Sequence, residues 1–586
     1  MLSNNDAKRE NVKAGPLPLV VGVMGHRDLV ADEVPDIVRR VRDLFIRLRN
    51  TYPHTPLILM SSLAEGADRL VARAALDFGA ELYVVLPLPL HVYEQDFSSE
   101  PSLQEFRQLM QRSYAATVVA MADDRDAQAA RVSGPARDRR YAAAGAFLVS
   151  YSQILIALWD GEPAEMLGGT SQMVRFALQG VPSKYLSGSA DQLRTNETGA
   201  VYHVLVGRQS AKAADVSFPL TGWMYPGAER GEAAVARHAR AAFEQNLRCL
   251  EQFNGDAAAA KVRLQASRSA ERLLSSEQEA SLHHNPVVLE YTRAMFGQAD
   301  ALALSCRNWT HAAMIAIFTA IGIATVLFSF YTNVLSNEPA LYVGFLGVVA
   351  VAFGVDIAVK RQRLQDRFQD YRALAEGLRV QYFWRLAGIR ESVYDHYLAR
   401  QEGELDWIRN AMRAAQLRRQ TEPDAPTASV ETPGLLEIVL NRWVNDQEAY
   451  FSRAAQVERD MATRIRWAAN ACLVVTGAVA ITLAATLAER AHGYHEMLVM
   501  LLTLALAAAG LFAGYAQKRA HDEHARRYQR MCALYRIAGE RVASLLREDD
   551  PSGAKAVFVQ LGREALAETC DWLLLHRERQ IDVPTA

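Results

Sequence analysis

Glycine, hydroxyl and charged residues recur in this sequence directly after short apolar segments. Glycines ahead of a helix let the backbone approach a phosphate, and the free N–H groups and positive dipole end of the helix attract it. A histidine and an arginine add groups able to bind an anion. Together these turns predict a nucleotide pocket. The candidate ligand-binding residues are Gly25, His26, Arg27, Ser61, Ser62, Glu65, Gly66, Asp160, Gly168, Gly169 and Thr170.

Each of these turns also has a simpler interpretation. Ser62 and Glu65 have the S-x-x-E spacing of a helix capping box. Residues 168–170 fit a turn followed by a helix N-cap, and the basic residues after the first strand fit a solvated surface. Trp159 fits core packing as well as stacking on a base. The pocket is favoured because the turns fall at one edge of one predicted sheet, which independent caps do not explain.

The alternation of short apolar and amphipathic segments predicts the elements that position these turns. Strands that alternate with helices predict a parallel sheet covered on both faces. The ligand crevice of such a sheet lies beyond the carboxyl ends of its strands. The expected strands are residues 19–24, 57–60, 82–86, 117–121, 153–158 and 201–206, with helices such as 36–49 and 67–78 between them.

Length and composition restrict the class of protein. The chain has 586 residues, a formal charge of −2 and five cysteines without a CxxC pair. At about 100 to 200 residues per domain, several units are expected. A zinc finger, a disulfide scaffold, a wholly disordered chain and a nucleic-acid binder driven by bulk charge are disfavoured. The sequence indicates no metal site, no cofactor, no catalytic triad and no nucleic-acid partner.

Four apolar segments decide the class of this protein. They cover residues 312–331, 340–359, 467–488 and 497–516, and each has about the 20 residues that cross a bilayer as a helix. Buried helices of a soluble protein would carry charges along one stripe, but the only internal charge here is Asp356. Asp356 is a candidate for an ion path; in the simpler interpretation it is an interfacial residue paired with Lys360.

The residues around these segments predict orientation and a duplication. Lys and Arg flank the outer ends of both hairpins, so both termini and all large segments are expected in the cytoplasm. Trp309 and Trp467 open the first spans, Lys360 and Lys518 begin the basic pairs that close the second spans, and each pair is 158 residues apart. An internal duplication is the economical interpretation. The following helices have heptad-like spacing, which fits intrachain packing and an intersubunit stalk equally well; a homo-oligomer is expected.

Three segments resemble the SLOG superfamily, the Rossmann-like fold of Smf/DprA and Lonely Guy proteins. They are VGVMGHRDL at residues 21–29, SSLAEGADRLVARAALDFGAELYVVLPLP at 61–89 and LGGTSQMVRFAL at 167–178. The hairpins and their following helices, including DYRALAEGLRVQYFW at 370–384, resemble SLATT domains, two-span effectors associated with SLOG and nucleotide-cyclase modules in bacterial conflict systems. The resemblance implies a sensor of a nucleotide or nucleotide-derived signal. It also implies an effector in the bacterial inner membrane that opens a pore or depolarises the cell in defence.

The same resemblance bears on catalysis. Lonely Guy-type phosphoribohydrolases carry a PGGxGTxxE signature, whose glycines and Thr hold phosphate while the Glu acts on the ribosyl bond. Here the motif is shortened to residues 167–170, and Met173 occupies the position of the Glu. The resemblance therefore implies phosphate binding without hydrolase chemistry, unless Glu65 or Asp160 supplies the carboxylate. The alternative function is a membrane-anchored nucleotide-processing enzyme, phosphoribohydrolase-like.

The predicted fold class is an α/β Rossmann-like, SLOG-like parallel-sheet domain followed by an all-α membrane region. That region has four transmembrane helices in two hairpins and long cytosolic helices. The expected division is a disordered N-terminus at 1–15, a SLOG-like nucleotide-sensing domain at 16–215, a helical coupling region at 216–308, a SLATT-like two-span unit at 309–419, a linker at 420–434 and a second such unit at 435–586.

Overall fold

The computed structural model describes most of the chain. The predicted disordered segment 1–15 and residues 420–431 of the predicted linker lie outside the described part, as do residues 487 and 488 at the end of the third predicted span. The described residues are 16–97, 99–119, 129–162, 167–185, 198–210, 220–227, 233–274, 286–397, 405–417, 432–486 and 492–578.

A seven-stranded sheet forms the centre of the first part of the chain. Its order is β4-β3-β2-β1-β5-β6-β7; β6 and β7 run antiparallel, and the other neighbouring pairs run parallel. Every residue of the inner strand β2 is buried, as a strand covered on both faces requires. The strands are β1 Leu19–Gly25, β2 Leu57–Ser61, β3 Glu81–Leu86, β4 Ala115–Val118, β5 Ile154–Trp159, β6 Ala200–Leu205 and β7 Thr221–Met224.

The strand order creates a point at which the chain changes direction across the sheet. The chain builds β1 to β4 outward in one direction and then returns to place β5 against the other side of β1. In register, Val21 lies opposite Ile154 of β5, and Leu19 lies opposite Leu57 of β2. Open α/β sheets bind ligands at such a switch point, beyond the carboxyl ends of the strands. The fold therefore directs attention to the turns that follow β1 and β5.

Helices cover the sheet, and they form all of the described structure from residue 233 onward apart from short turns. A π-helical segment, Leu440–Asn445, joins α13 to α14. In chain order the helices are α1 Val34–Thr51, α2 Ala67–Asp77, α3 Leu90–Tyr93, α4 Glu100–Arg112, α5 Pro135–Tyr151, α6 Thr170–Gln179, α7 Ala233–Ala257, α8 Ala260–Ala270, α9 Pro286–Asn333, α10 Pro339–Arg361, α11 Leu364–Leu386, α12 Asp406–Leu417, α13 Thr432–Val439, α14 Asp446–Thr486, α15 His492–Arg519, α16 His521–Arg547 and α17 Pro551–Glu578.

The parallel α/β class predicted for the N-terminal part is confirmed, and the strand ends differ from the predicted ones by few residues. The largest difference is the fourth strand, predicted at 117–121 and observed at Ala115–Val118. Residues 120 and 121 lie outside the described part of the chain. The antiparallel strand β7 was not expected; it lies in the segment predicted to be a helical coupling region.

The chain divides into two compact units whose boundaries differ from the predicted domains. The first unit comprises Met1–Leu264, His283–Ala294 and Glu391–Ser429, and the second comprises Gln265–Leu282, Met295–Arg390 and Val430–Ala586. The predicted boundary at residue 215 therefore does not hold, because β7 and α7 continue the first unit. The grouping of residues 391–419 with the first hairpin does not hold either. Leu417 of α12 is buried in the core of the sheet unit. Packing there removes the apolar face of this helix from water, which is favourable.

Four helices of the described chain are long and apolar enough to cross a membrane: α9, α10, α14 and α15. Their most apolar windows are largely exposed, with between 6% and 22% of the residues buried inside the protein. Ile481, for example, is 73% exposed. Apolar surface of this extent is unfavourable in water and favourable in hydrocarbon, so the helices fit a bilayer. The prediction of four spans in two hairpins agrees with these helices.

The second unit supports the interpretation of the hairpins as copies. Each hairpin ends at a residue in the left-handed backbone conformation, Arg363 and Ala520, both with φ of 48°. These residues are 157 positions apart, and each is the N-cap of the next helix, α11 or α16. Few residues other than glycine adopt this conformation, so an identical break at matching positions indicates a shared framework.

The first and fourth spans contact each other inside the second unit. The hydroxyl oxygens of Ser329 and Thr503 lie 3.1 Å apart, and the rings of Phe318 and Tyr515 meet edge to face at 5.5 Å. A hydroxyl pair satisfies two polar groups that lipid would leave unpaired. The two hairpins therefore pack together in one bundle.

Candidate functional site

An open cleft of about 650 Å³ lies at the switch point of the sheet. The turns after β1, β2 and β5 line it, together with the start of α6. Eight of the eleven predicted ligand-binding residues share this cleft; that they bind a ligand stays a prediction. These eight are Gly25, His26, Arg27, Ser62, Asp160, Gly168, Gly169 and Thr170.

The turns after β1 and β5 are joined by His26 and Asp160. The backbone N–H of Asp160 donates to Nε2 of His26 at 3.2 Å, and Oδ2 of Asp160 lies 3.3 Å from the same nitrogen. Gly25 is required beside them because a Cβ there would lie 2.4 Å from the Cβ of Ala67. This close packing fixes the floor of the cleft.

Arg27 supplies the cation at this end of the cleft. Its side chain is exposed, and its guanidinium lies 5.7 Å from the ring centre of Tyr141, which also lines the cleft. Among the described residues no carboxylate forms an ion pair with Arg27. Its charge is therefore available to an anion that enters the cleft.

The N-terminus of α6 also lines the cleft. Thr170 is the first helical residue, and Gly169 is the N-cap without a side-chain cap. Gly168 has φ of 79°, and its N–H donates to Oε1 of Gln172 at 2.7 Å. The interpretation as a turn with an N-cap is thus correct for the local structure. It does not conflict with anion binding, because the positive end of the helix dipole points to the same cleft.

Three predicted residues, Ser61, Glu65 and Gly66, lie beneath or behind the cleft. The hydroxyl of Ser61 is buried and donates to Asp68, while Glu65 accepts a hydrogen bond from the hydroxyl of Ser102. These residues position the rim, and the structure does not bring them to the cleft surface.

Gly66 allows two turns of the rim to touch. It is the N-cap of α2 with φ of 78°, and a Cβ there would lie 2.4 Å from the carbonyl oxygen of Arg27. Because α2 begins at Ala67, Ser62 is too far from the helix start to be its N-cap. The capping-box interpretation of Ser62 and Glu65 is therefore wrong.

Asp68 is a cleft residue that the sequence interpretation did not select. It is 3% exposed, its Oδ2 accepts from Ser61 at 3.2 Å, and the backbone N–H groups of Ala64 and Ser62 also hydrogen-bond to it. Burial raises the pKa of its carboxyl to about 6, although these hydrogen bonds and the nearby charge of Arg27 lower it. Its position in the first turn of a helix that follows a strand could have identified Asp68 as a candidate from the sequence. The burial of its side chain could not be predicted from the sequence.

The raised pKa of Asp68 predicts a pH-dependent stability. The folded protein favours the neutral acid, so its contribution is full below the unfolded pKa of about 3.9 and is lost as the pH rises through about 6. The two pKa units correspond to about 3 kcal/mol. We expect Asp68→Asn to raise the thermal unfolding midpoint of the detergent-solubilised full chain at pH 7.5 and to leave it nearly unchanged at pH 4. Parallel pH curves for the two proteins would contradict this assignment.

Two further residues bear on the chemistry predicted for the cleft. Met173, at the position where the resemblance implied a catalytic Glu, is fully buried in the core, and its Sδ would lie 2.5 Å from a Cβ at Gly145. Trp159 is 8% exposed, and its Nε1–H donates to the carbonyl of Glu162 at 3.0 Å. Trp159 therefore mainly packs and closes the turn after β5.

Asp356 has the surroundings that its simpler interpretation implies. It is buried, and its Oδ2 lies 3.0 Å from Nζ of Lys360, one helical turn onward. A paired carboxylate at the end of a span stabilises the local structure and leaves little charge for a passing ion. The pairing with Lys360 is thus observed, and the role of Asp356 in an ion path stays a prediction.

Comparison of the chain with protein-family models, with curated proteins and with solved structures finds no match.

Proposed function

We propose that this protein is a membrane effector that senses a nucleotide or nucleotide-derived anion. The cleft of the sheet unit binds the signal, and the four spans respond by opening a pore or channel or by depolarising the membrane. The proposed setting is the bacterial inner membrane, with both termini and the sheet unit in the cytoplasm, and with a role in defence or stress. The protein acts as a homo-oligomer in this proposal.

The observation that carries the proposal is that an exposed arginine and a helix N-terminus lie in one cleft, whose lining also holds six carboxylates. The exposed cation Arg27 and the N-terminus of α6 line one cavity at the switch point of the sheet. Both groups attract a phosphate, and the cavity volume of about 650 Å³ is within the range of about 300 to 1,000 Å³ that small-molecule sites occupy.

Chain continuity supports a link between ligand and membrane. Helix α9 begins within the sheet unit at Pro286 and continues without interruption through the first span to Asn333. A ligand changes a membrane assembly only if it binds one state of that assembly better. A helix that continues from the sheet unit into a span offers a means for such a preference to reach the bilayer.

An enzyme is the second candidate, and Asp68 favours it. A buried carboxyl with a pKa near 6 beside an anion site has the properties of a general acid. The core position of Met173 counts against the Lonely Guy-type chemistry, because no carboxylate takes the place of its Glu on α6. The proposal therefore ranks binding without turnover above hydrolysis.

A ligand screen on the detergent-solubilised full chain separates the two candidates. We expect at least one phosphate-bearing nucleotide to raise the thermal unfolding midpoint in a saturable manner, because a ligand that binds only the folded state stabilises it. Chromatography of the same mixtures is expected to recover the nucleotide unchanged. Product formation that disappears in Asp68→Asn would support the enzyme instead. The absence of any shift over the whole panel would contradict both candidates.

A further inference from the structure

A groove of about 1,200 Å³ lies in the second unit where the second hairpin meets its following helices. The end of α15, the middle of α14, the start of α16 and one residue of α17 line it. It belongs to neither the nucleotide cleft nor the proposed sensing step, so an inference about it does not depend on the proposed function.

The groove lining has an apolar part and a basic part. The apolar part comes from the spans and includes Ile465, Phe512 and Ala513. The basic part contains four cations, Arg466, Lys518, Arg526 and Arg577, against the two carboxylates Asp522 and Glu523. Such a division along one groove matches a molecule with an apolar portion and an anionic portion.

Two residues place the groove at the membrane–water boundary. Trp467, which opens the third span, is 73% exposed, and its neighbour Arg466 lines the groove. Lys518 lies at the end of the fourth span. Exposed tryptophans and basic residues at span ends mark the depth of the lipid headgroups. The basic part of the groove therefore lies where phosphates of the bilayer are found.

Arg466 and Arg526 are groove cations that a phosphate can reach, whereas Arg577 pairs with the buried Asp370. Arg466 lies 3.3 Å from both carboxylate oxygens of Asp522, and both side chains are 62% exposed. Exposed pairs of this kind contribute little free energy because water screens them. Arg526 is exposed, and among the described residues no carboxylate forms an ion pair with it.

The corresponding surface of the first hairpin lacks this character. With the offset of 158 residues that relates the spans, Arg466 corresponds to Asn308 and Gly514 corresponds to Asp356. With the offset of 157 after the break, Arg526 corresponds to Gln369. The first copy keeps a cation at Lys360, which corresponds to Lys518, but it has neutral residues in place of Arg466 and Arg526 and an acid in place of Gly514.

We propose that this groove binds the headgroup of an anionic phospholipid from the leaflet that faces the long helices. The lipid phosphate lies among Arg466, Lys518 and Arg526, and the acyl chains lie along Ile465 and Phe512. The charge complementarity and the headgroup depth commit the groove to a lipid rather than to a second copy of the chain.

Spin-labelled lipids test this proposal on the full chain in phosphatidylcholine vesicles. The fraction of motionally restricted label gives the preference of the protein for phosphatidylglycerol over phosphatidylcholine. We expect a preference of at least about fivefold in the wild type and no preference in Arg466→Gln/Arg526→Gln, because each cation near the membrane surface contributes about 1 kcal/mol. The matched control Arg464→Gln/Arg530→Gln removes the same charge from exposed positions on the same helices outside the groove and is expected to keep the wild-type preference.

Four outcomes would overturn the proposal. A wild type without preference shows that the groove does not select anionic lipid. An equal fall in both double variants assigns the preference to general surface charge. Loss of the preference in excess inorganic phosphate assigns the groove to a soluble anion. A groove variant that changes subunit number but keeps its lipid preference assigns the groove to an interface between copies. Equal unfolding midpoints of the double variants and the wild type establish that the comparison is between folded proteins.

Discussion

Gly169→Asp is expected to lower the affinity for the activating nucleotide by about 100-fold or more without destabilising the fold. Gly169 is the N-cap of α6, with φ of −74° and ψ of 160°, a conformation that Asp adopts readily. An Asp at this position caps the helix well and is favoured by its dipole. Its carboxylate also occupies the place that the proposed site offers to a phosphate. Two like charges about 4 Å apart repel by about 4 kcal/mol at an effective dielectric constant of 20.

Gly169→Asn provides the matched control for this variant. Asn has nearly the same shape and caps a helix equally well, but it carries no charge. We expect Asn to keep most of the affinity and Asp to lose it, with similar unfolding midpoints in the absence of nucleotide. Isothermal titration of the full chain measures the affinities. Equal affinities of the two variants would show that no anion lies at the start of α6.

Gly66→Ala is expected to destabilise the sheet unit by about 3 kcal/mol or more. Gly66 has φ of 78° and ψ of −117°, a backbone conformation that costs a residue with a Cβ about 1 to 3 kcal/mol. The new Cβ would also lie 2.4 Å from the carbonyl oxygen of Arg27, a backbone atom that cannot move without displacing the rim of the cleft. Overpacking of this kind adds about 1 to 3 kcal/mol.

Gly79→Ala tests a glycine with positive φ that lacks the backbone contact. Gly79 follows α2 with φ of 73°, and its Cβ would meet only Nη1 of the flexible Arg49, at 3.2 Å. It is expected to cost only the backbone strain, about 1 to 2 kcal/mol. Chemical denaturation of the detergent-solubilised chain measures both. If the two glycines prove equally sensitive, the contact between Gly66 and the turn after β1 does not exist as described.

The sequence was sufficient to predict the elements that depend on local periodicity. Uninterrupted apolar runs identified the four spans, and short apolar runs between amphipathic segments identified six of the seven strands of the described sheet. The predicted sheet also placed the turns that contain Arg27 and Gly169 in one cleft, because parallel strands end on the same side of a sheet.

The sequence was insufficient where distant contacts decide the structure. Asp68 is a cleft residue because the surrounding helices and turns bury it, and no local pattern reveals that burial. Ser62 and Glu65 had the spacing of a capping box, but the close approach of Gly66 to the Arg27 carbonyl determines the turn. Leu417 belongs to the sheet core although the first hairpin separates it from the sheet in sequence. Long-range packing of this kind competes with local signals and overrides them.

The measurement that tests the proposed function most directly is dye release from phosphatidylcholine–phosphatidylglycerol vesicles that contain the reconstituted full chain. The nucleotide that raises the unfolding midpoint is added to the side on which the sheet unit is exposed. We predict that it triggers release in the wild type and in Gly169→Asn, and that Gly169→Asp releases no dye at the same concentration. Release that is independent of the nucleotide, or equal in the Asp and Asn variants, would contradict a signal that acts through the cleft.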